Sequence, residues 1–258
     1  MKKILFFLIL TSLFAFNTSD IIKNIIGEQK YTTYKGLLKE TINDQNASLK
    51  EIITALKENG LIDLFFKKPK LTHPTFIFIN NNPVFNTKTL YETLQNLGYY
   101  YFYPSKIIKK ENYSITLEIN SNHHIDPLNF LNEIEHYGCK VIEINKKEDF
   151  TYKIDCENEI VKAIKLSQKT KSLVNAKGEY WIETGGFKKA YIKTSKYDFW
   201  YPYIVFYDKN LNILNIITSE FIQRQITLNI PENCKYIKIR DNYTKENFKR
   251  GIFIKGLQ

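Results

Sequence analysis

The stretch Phe85–Phe102, FNTKTLYETLQNLGYYYF, decides the reading of the fold, because its pattern recurs 40 residues later as Ile125–Ile142, IDPLNFLNEIEHYGCKVI. Aligned, Asn86 falls on Asp126, Leu90 on Phe130, Tyr91 on Leu131, Leu94 on Ile134, Leu97 on Tyr137 and Gly98 on Gly138. Each copy has a residue suited to capping, apolar positions at i, i+1, i+4 and i+7, and a terminating glycine, the marks of a short amphipathic helix. Period-2 apolar runs flank both copies: TFIFIN and YYYFY around the first, YSITLEIN and CKVIEIN around the second. The element order is therefore βαββαβ, with FTYKID adding a further strand.

Working outward, the hairpin CKVIEINKKEDFTYKIDC places two of the three cysteines in register. If Asn145 faces Phe150 across a four-residue turn, counting outward sets Cys139 opposite Cys156. A disulfide there is expected, provided the compartment is oxidising. Cys234 is the odd thiol and is expected to be buried and inert.

Before the repeat the chain is helical in pattern, with Leu49, Ile52, Ile53 and Leu56 on one face, Ser48 and Glu51 forming a capping box, and Asn59-Gly60 as a stop. FFKKPKLTHP looks like a linker punctuated by Pro69 and Pro74. Beyond the hairpin, NEIVKAIKLSQKTKSLVNAKG reads as a basic, helix-capable connector. From Gly178 the texture changes to EYWIET, KKAYIKTS, YPYIVFYD, LNILNII, QITLNI, KYIKIRD and GIFIKGL, short alternating runs separated by turns such as GG, DKN and PEN. That is the pattern of a β-sandwich. The expected class is α+β. Its parts are a leader over 1–15, a helical N-terminal segment over 16–68, a ferredoxin-like middle domain over 69–157, a connector over 158–177 and an all-β sandwich over 178–258.

The middle order, its size and the helix followed by LGYYYF resemble SPOR domains, which implies binding of peptidoglycan glycan strands. FINNNPVF stands where such domains carry an aromatic and glycine motif. The run ITLNIPENCKYIKIRD is similar to a strand, turn and strand of jelly-roll modules in carbohydrate-binding and receptor-binding proteins.

The compartment is read from MKKILFFLILTSLFAF: two lysines, an apolar run too short to span a membrane, and small Ala15. This is the order of a secretory signal peptide cleaved after Ala15. A soluble protein of the periplasm or exterior is expected, with no transmembrane segment. The 43% hydrophobic and 15% aromatic content suffices for packed cores, so the chain is not disordered. The formal charge of +10, in an exported protein, points to anionic envelope components before nucleic acid, and no nucleic-acid partner is expected.

Four Asn-X-Ser/Thr triplets occur, at Asn17, Asn46, Asn112 and Asn242, and only Asn46 has an acidic residue two positions earlier, Asp44. DQNAS resembles the extended acceptor of bacterial N-glycosylation, which makes Asn46 the candidate glycan site. Asp44 and Ser48 equally serve to organise a helix start. As a whole the chain resembles three-domain exported proteins of spiral, N-glycosylating bacteria. That likeness implies compartment and architecture more than activity.

For chemistry, NHHID offers His123, His124 and Asp126, but adjacent histidines point apart and Asp126 suits the cap before Pro127, so no metal site is assigned. GxSxG, HExxH and phosphate-cradling glycine loops are absent from the sequence. No catalytic residue and no cofactor are expected. Trp181, Trp200 and Tyr201 are the candidate ligand-contacting aromatics, Trp200 and Tyr201 facing opposite ways if the strand has begun there. The expected role is non-enzymatic binding or scaffolding in the envelope, with a protein partner or cell-wall glycan. A hydrolase of envelope polymers is the remaining alternative.

Overall fold

A computed structural model describes residues 18–42, 47–80, 82–175 and 178–258. The expected leader and Asn46 lie outside the described residues. Contacts divide the chain into two compact units: the described residues of Met1–Asn81 with Leu90–Glu157, and Asn82–Thr89 with Asn158–Gln258. The protein is mixed α+β and mostly β. Among the described residues no helix is long and apolar enough to cross a membrane.

The first unit begins with α1 (Thr18–Ile26), α2 (Glu28–Thr41) and α3 (Leu49–Glu58). The capping box at the start of α3 forms as read: the Ser48 hydroxyl accepts from the Glu51 N–H at 3.2 Å, and the Glu51 carboxylate accepts from the Ser48 N–H at 2.7 Å. Gly60, at φ 64°, makes the left-handed exit that lets the Leu61 N–H reach back to the Leu56 carbonyl. On α2 Leu38 is buried, whereas Tyr34 and Leu37 are exposed.

Next come β1 (Phe65–Thr72), β2 (Thr75–Phe78), α4 (Pro83–Asn96), β3 (Phe102–Lys109), β4 (Tyr113–His123), α5 (Pro127–Glu135), β5 (Lys140–Lys146) and β6 (Phe150–Asp155). The expected linker is thus a strand. β1 pairs antiparallel with β4, and its irregular register between Phe65 and Lys70 accommodates Pro69, which an edge strand tolerates. α4 starts three residues before the expected cap at Asn86, because Pro83 is pre-set for a first helical position. Asp126 does cap α5, accepting from the N–H groups of Leu128 and Asn129.

The sheet order is β1-β4-β2-β6-β5, with β3 on the other side of β4. β2 and β3 both run antiparallel to β4 and so flank it as a split βαβ unit through α4. β6 runs parallel to β2, with Phe76 beside Tyr152, and separates β2 from β5. Burial explains the placement. β6 buries Phe150, Tyr152 and Ile154, whereas β5 carries Lys140, Lys146 and an exposed Ile142, which belong at an edge.

The strands' alternation puts Tyr113, Ile115, Leu117 and Ile119 of β4 into a core shared with Leu90, Leu94, Phe130 and Ile134 from the helices. Ile22, Ile25, Ile52, Ile53 and Leu56 of the N-terminal helices enter the same cluster, so helical segment and sheet share one core. Each such side chain contributes roughly 1.5–3 kcal/mol on burial.

The hairpin shows how local errors cancel. Lys146 faces Phe150 across a three-residue turn, one step from the expected register, and a bulge between Val141 and Glu143 restores it. Lys140 then faces Asp155, and Cys139 and Cys156 lie at disulfide distance with Cα atoms 4.2 Å apart.

The second unit holds β7 (Ile164–Lys165), β8 (Lys171–Leu173), β9 (Glu179–Glu183), β10 (Lys189–Thr194), β11 (Pro202–Tyr207), β12 (Ile213–Thr218), β13 (Gln225–Asn229), β14 (Tyr236–Asp241) and β15 (Ile252–Leu257). All seven runs read as strands after Gly178 are strands. The expected helical connector instead supplies β7 and β8, which extend the two sheets at their edges while Leu166 joins the core. One sheet runs β13-β10-β15-β8, the other β12-β11-β14-β9-β7. The antiparallel pairs are nested: β8 with β15, β9 with β14, β10 with β13 and β11 with β12. ETGG therefore does not close a hairpin. Gly185 and Gly186, both at positive φ, turn the chain from β9 in one sheet to β10 in the other. Ile182, Ile192, Ile204, Phe206, Ile237, Ile239 and Ile254 form a core between the sheets. A smaller cluster joins Phe85, Val161 and Leu211.

Candidate binding surface

The nested pairing has a geometric consequence. Leu173, Thr194 and Ile252 lie side by side in one sheet. In the other, Pro202 pairs with Asp241, and Tyr203 with Thr218. The segments after β8, β10, β12 and β14 consequently emerge at one end of the unit.

Buried polar groups hold that end. The Asp241 carboxylate accepts from the backbone N–H groups of Tyr201 (2.8 Å), Tyr243 (2.9 Å) and Thr244 (3.0 Å) and from the Asn247 amide (3.1 Å). Arg250 donates to Asp198 Oδ1 at 2.8 Å and to the Tyr197 carbonyl at 3.1 Å, tying the loop after β10 to the loop before β15. The Gln223 N–H donates to the Trp200 carbonyl at 2.8 Å, bringing in the loop after β12. Three loops, the one before β15 carrying a 3-10 turn over Lys245–Phe248, are thus cross-linked into one platform.

The platform carries exposed rings. Tyr197 is 63% exposed, Phe199 58%, Phe221 77% and Tyr243 62%, and Ile222 and Val174 are exposed with them. Lys196 sits 4.9 Å from the Tyr197 ring centre and the Arg250 guanidinium 5.8 Å from it. Rigid aromatics beside arginine and lysine, on a pre-organised base, make up the composition that anchors a macromolecular partner at little entropic cost.

The three expected aromatics fare differently. Trp200 is fully buried, stacked on Phe248 at 5.4 Å with its indole N–H donated to the Arg240 carbonyl at 3.0 Å. It is a core residue under the platform with no exposed surface to offer, because a ring so large and apolar is worth more inside. Tyr201 faces the other way, half-buried, edge-on to Tyr243 at 5.0 Å, at the platform's margin. Trp181 lies elsewhere, half-buried and stacked on Tyr207 at 5.2 Å, its N–H donated to Glu179 at 2.7 Å. Beside it is a cleft of about 340 Å³ lined by Lys162, Ser172 and Glu179 among others. Sequence reading does not bring Tyr197, Phe199, Phe221 and Tyr243 together: Tyr197 and Phe199 stand in the aromatic run YDFWYPYIVFY around Trp200, but Phe221 and Tyr243 come from two other loops and carry no such signal.

In the first unit the three groups of NHHID go separate ways. Tyr99 Oη and His123 Nδ1 are 2.8 Å apart, Asp126 caps α5, and His124 is buried between Phe66 and Phe150. Burial, aided by Lys146, pushes the His124 imidazole down to about 4. The open face of that sheet presents Thr75, Ser114, Thr116, Glu118, Thr151 and Lys153. Tyr103, bonded to Glu118, adds an aromatic ring to that face. In the second unit Cys234 is half-buried rather than buried as expected, and that partial burial pushes its thiol up to about 11, which keeps it protonated near neutral pH.

Comparisons with protein-family models, with curated proteins and with solved structures each returned no match.

Proposed function

We propose that this is an exported, non-enzymatic binding protein of the cell envelope, periplasmic or secreted after removal of Met1–Ala15. In this reading the second unit is a jelly roll, the architecture that nested pairing of eight strands describes. The first is a ferredoxin-like sheet with an inserted central strand, carrying the N-terminal helices on its core. Its partner is a protein, gripped by the loop platform, and Asn46 carries a glycan. The observation that supports the partner assignment most is the convergence of Tyr197, Phe199, Phe221 and Tyr243 on a base organised by the buried Asp241. The titratable groups shifted furthest, Tyr152 and Cys234 among them, are buried or half-buried in structural positions, which favours a binding role over an enzymatic one.

The test is saturation binding of fluorescently labelled protein to envelope fractions. Expected is binding that proteinase treatment of the envelope abolishes and that Tyr197→Ser/Phe199→Ser/Phe221→Ser weakens, with unchanged thermal unfolding. Binding that survives proteinase but is lost after muramidase treatment would overturn the protein-partner reading in favour of glycan.

A further inference from the structure

Among the described residues the edge strands are guarded by lysine, by proline or by a row of outward polar side chains, with one exception. β1 carries Lys67, Lys68, Pro69 and Lys70; β3 carries Pro104, Lys106 and Lys109; β5 carries Lys140, Lys146 and a bulge. β7 and β8 carry Lys165 and Lys171, and β13 turns Gln225, Thr227 and Asn229 outward and is closed by Pro231. Lysine, proline and bulges are the devices that prevent a sheet edge from pairing with another chain. β12, the edge of the five-stranded sheet, has a bulge at Leu214 and an Asn215 side chain that accepts from the Ile216 N–H at 2.8 Å, but none of the charged or proline guards. From Leu211 to Ser219 there is no charge and no proline in a chain with 37 lysines and arginines. Its side chains Ile213 (58%), Leu214 (39%) and Ile216 (44%) are exposed.

We propose that β12 is a self-association edge, pairing antiparallel with β12 of a second copy about a two-fold axis. Two observations select a second copy as occupant. A two-fold sets the strand against its own sequence, so any lysine near its middle would face its like, and the uncharged run removes that repulsion in an otherwise basic chain. The flanks also complement each other. Lys209 precedes β12 and Glu220 follows it, both are exposed, and antiparallel pairing brings the Lys209 end of each copy beside the Glu220 end of the other. The paired sheets would form one continuous ten-stranded layer. A single strand pair buries little area, so the dimer belongs to the weak, transient class. This inference is independent of the loop platform.

Sedimentation equilibrium of the full chain over a concentration series tests it, together with hydrogen exchange of the 213–218 amides. Expected are a monomer–dimer equilibrium and protection of those amides that rises with concentration. I216K, placing a charge near the axis, should weaken dimerisation at least about tenfold while leaving the melting temperature unchanged. K209E and E220K should each weaken it, and the double exchange should restore it. A monomer throughout, a dimer indifferent to I216K, or a double exchange that fails to recover would each overturn the proposal. Protection appearing only with added envelope extract would do so too, by assigning the edge to a foreign strand.

Discussion

Removing the Cys139–Cys156 bond should destabilise the first unit and leave the second untouched, and the two can be watched separately. The bond closes a loop with a sequence separation of 17. In the chain-entropy account that loop restricts the unfolded state by about 3 kcal/mol at 25 °C. With a urea slope of about 2 kcal/mol/M for a unit of this size, Cys139→Ala/Cys156→Ala should lower its midpoint by about 1.5 M. The assay needs two signals from one sample. Trp181 and Trp200, the only tryptophans, both lie in the second unit, whereas nearly all described helix lies in the first. The far-UV helical signal should therefore shift and tryptophan fluorescence should not. An unchanged helical midpoint, or an equal shift in both signals, would refute the reasoning.

Other consequences follow from single buried groups. His124 is held near 4 against an ordinary 6.5. The unfolded chain therefore binds the extra proton first, and stability is full above about pH 6.5 and falls as the pH drops toward 4. The loss is at most about 3 kcal/mol. His124→Gln should remove this slope from urea midpoints measured between pH 7 and 4; an unchanged slope would mean that other groups carry it. Cys234, half-buried with its thiol pushed up to about 11, should be alkylated more slowly at pH 7.5 to 8 in the native protein than in urea, and equal rates would contradict the raised thiol. Asp241→Ala strands four donors and should cost about 2–4 kcal/mol in the fluorescence transition. Trp200→Ala should cost about 3–5 kcal/mol, whereas Phe221→Ser should cost almost nothing because its ring is in solvent.

Sequence alone determined what depends on neighbours along the chain. The Ser48–Glu51 box, the Asp126–Pro127 helix start, the seven alternating strands after Gly178 and the facing of Cys139 and Cys156 are set by local hydrogen bonding and side-chain period, and those are written in order. Where a feature depended on competition between distant segments, only the tertiary structure decided it. FFKKPKLTHP is a strand because β4 offers it an edge, and β6 displaces β5 from the centre because its three buried apolar residues gain more there. The basic connector extends along two sheet edges that exist only after eighty further residues have folded. The platform follows the same logic. Phe221 and Tyr243 look like ordinary loop residues in sequence, and within the aromatic run that holds Tyr197 and Phe199 it is Trp200 that looks like the better anchor. Rolling the strands into nested pairs buries that tryptophan and gathers Tyr197, Phe199, Phe221 and Tyr243 at one end, because side chains from separate loops can be brought together only by the long-range pairing that sets where the loops emerge.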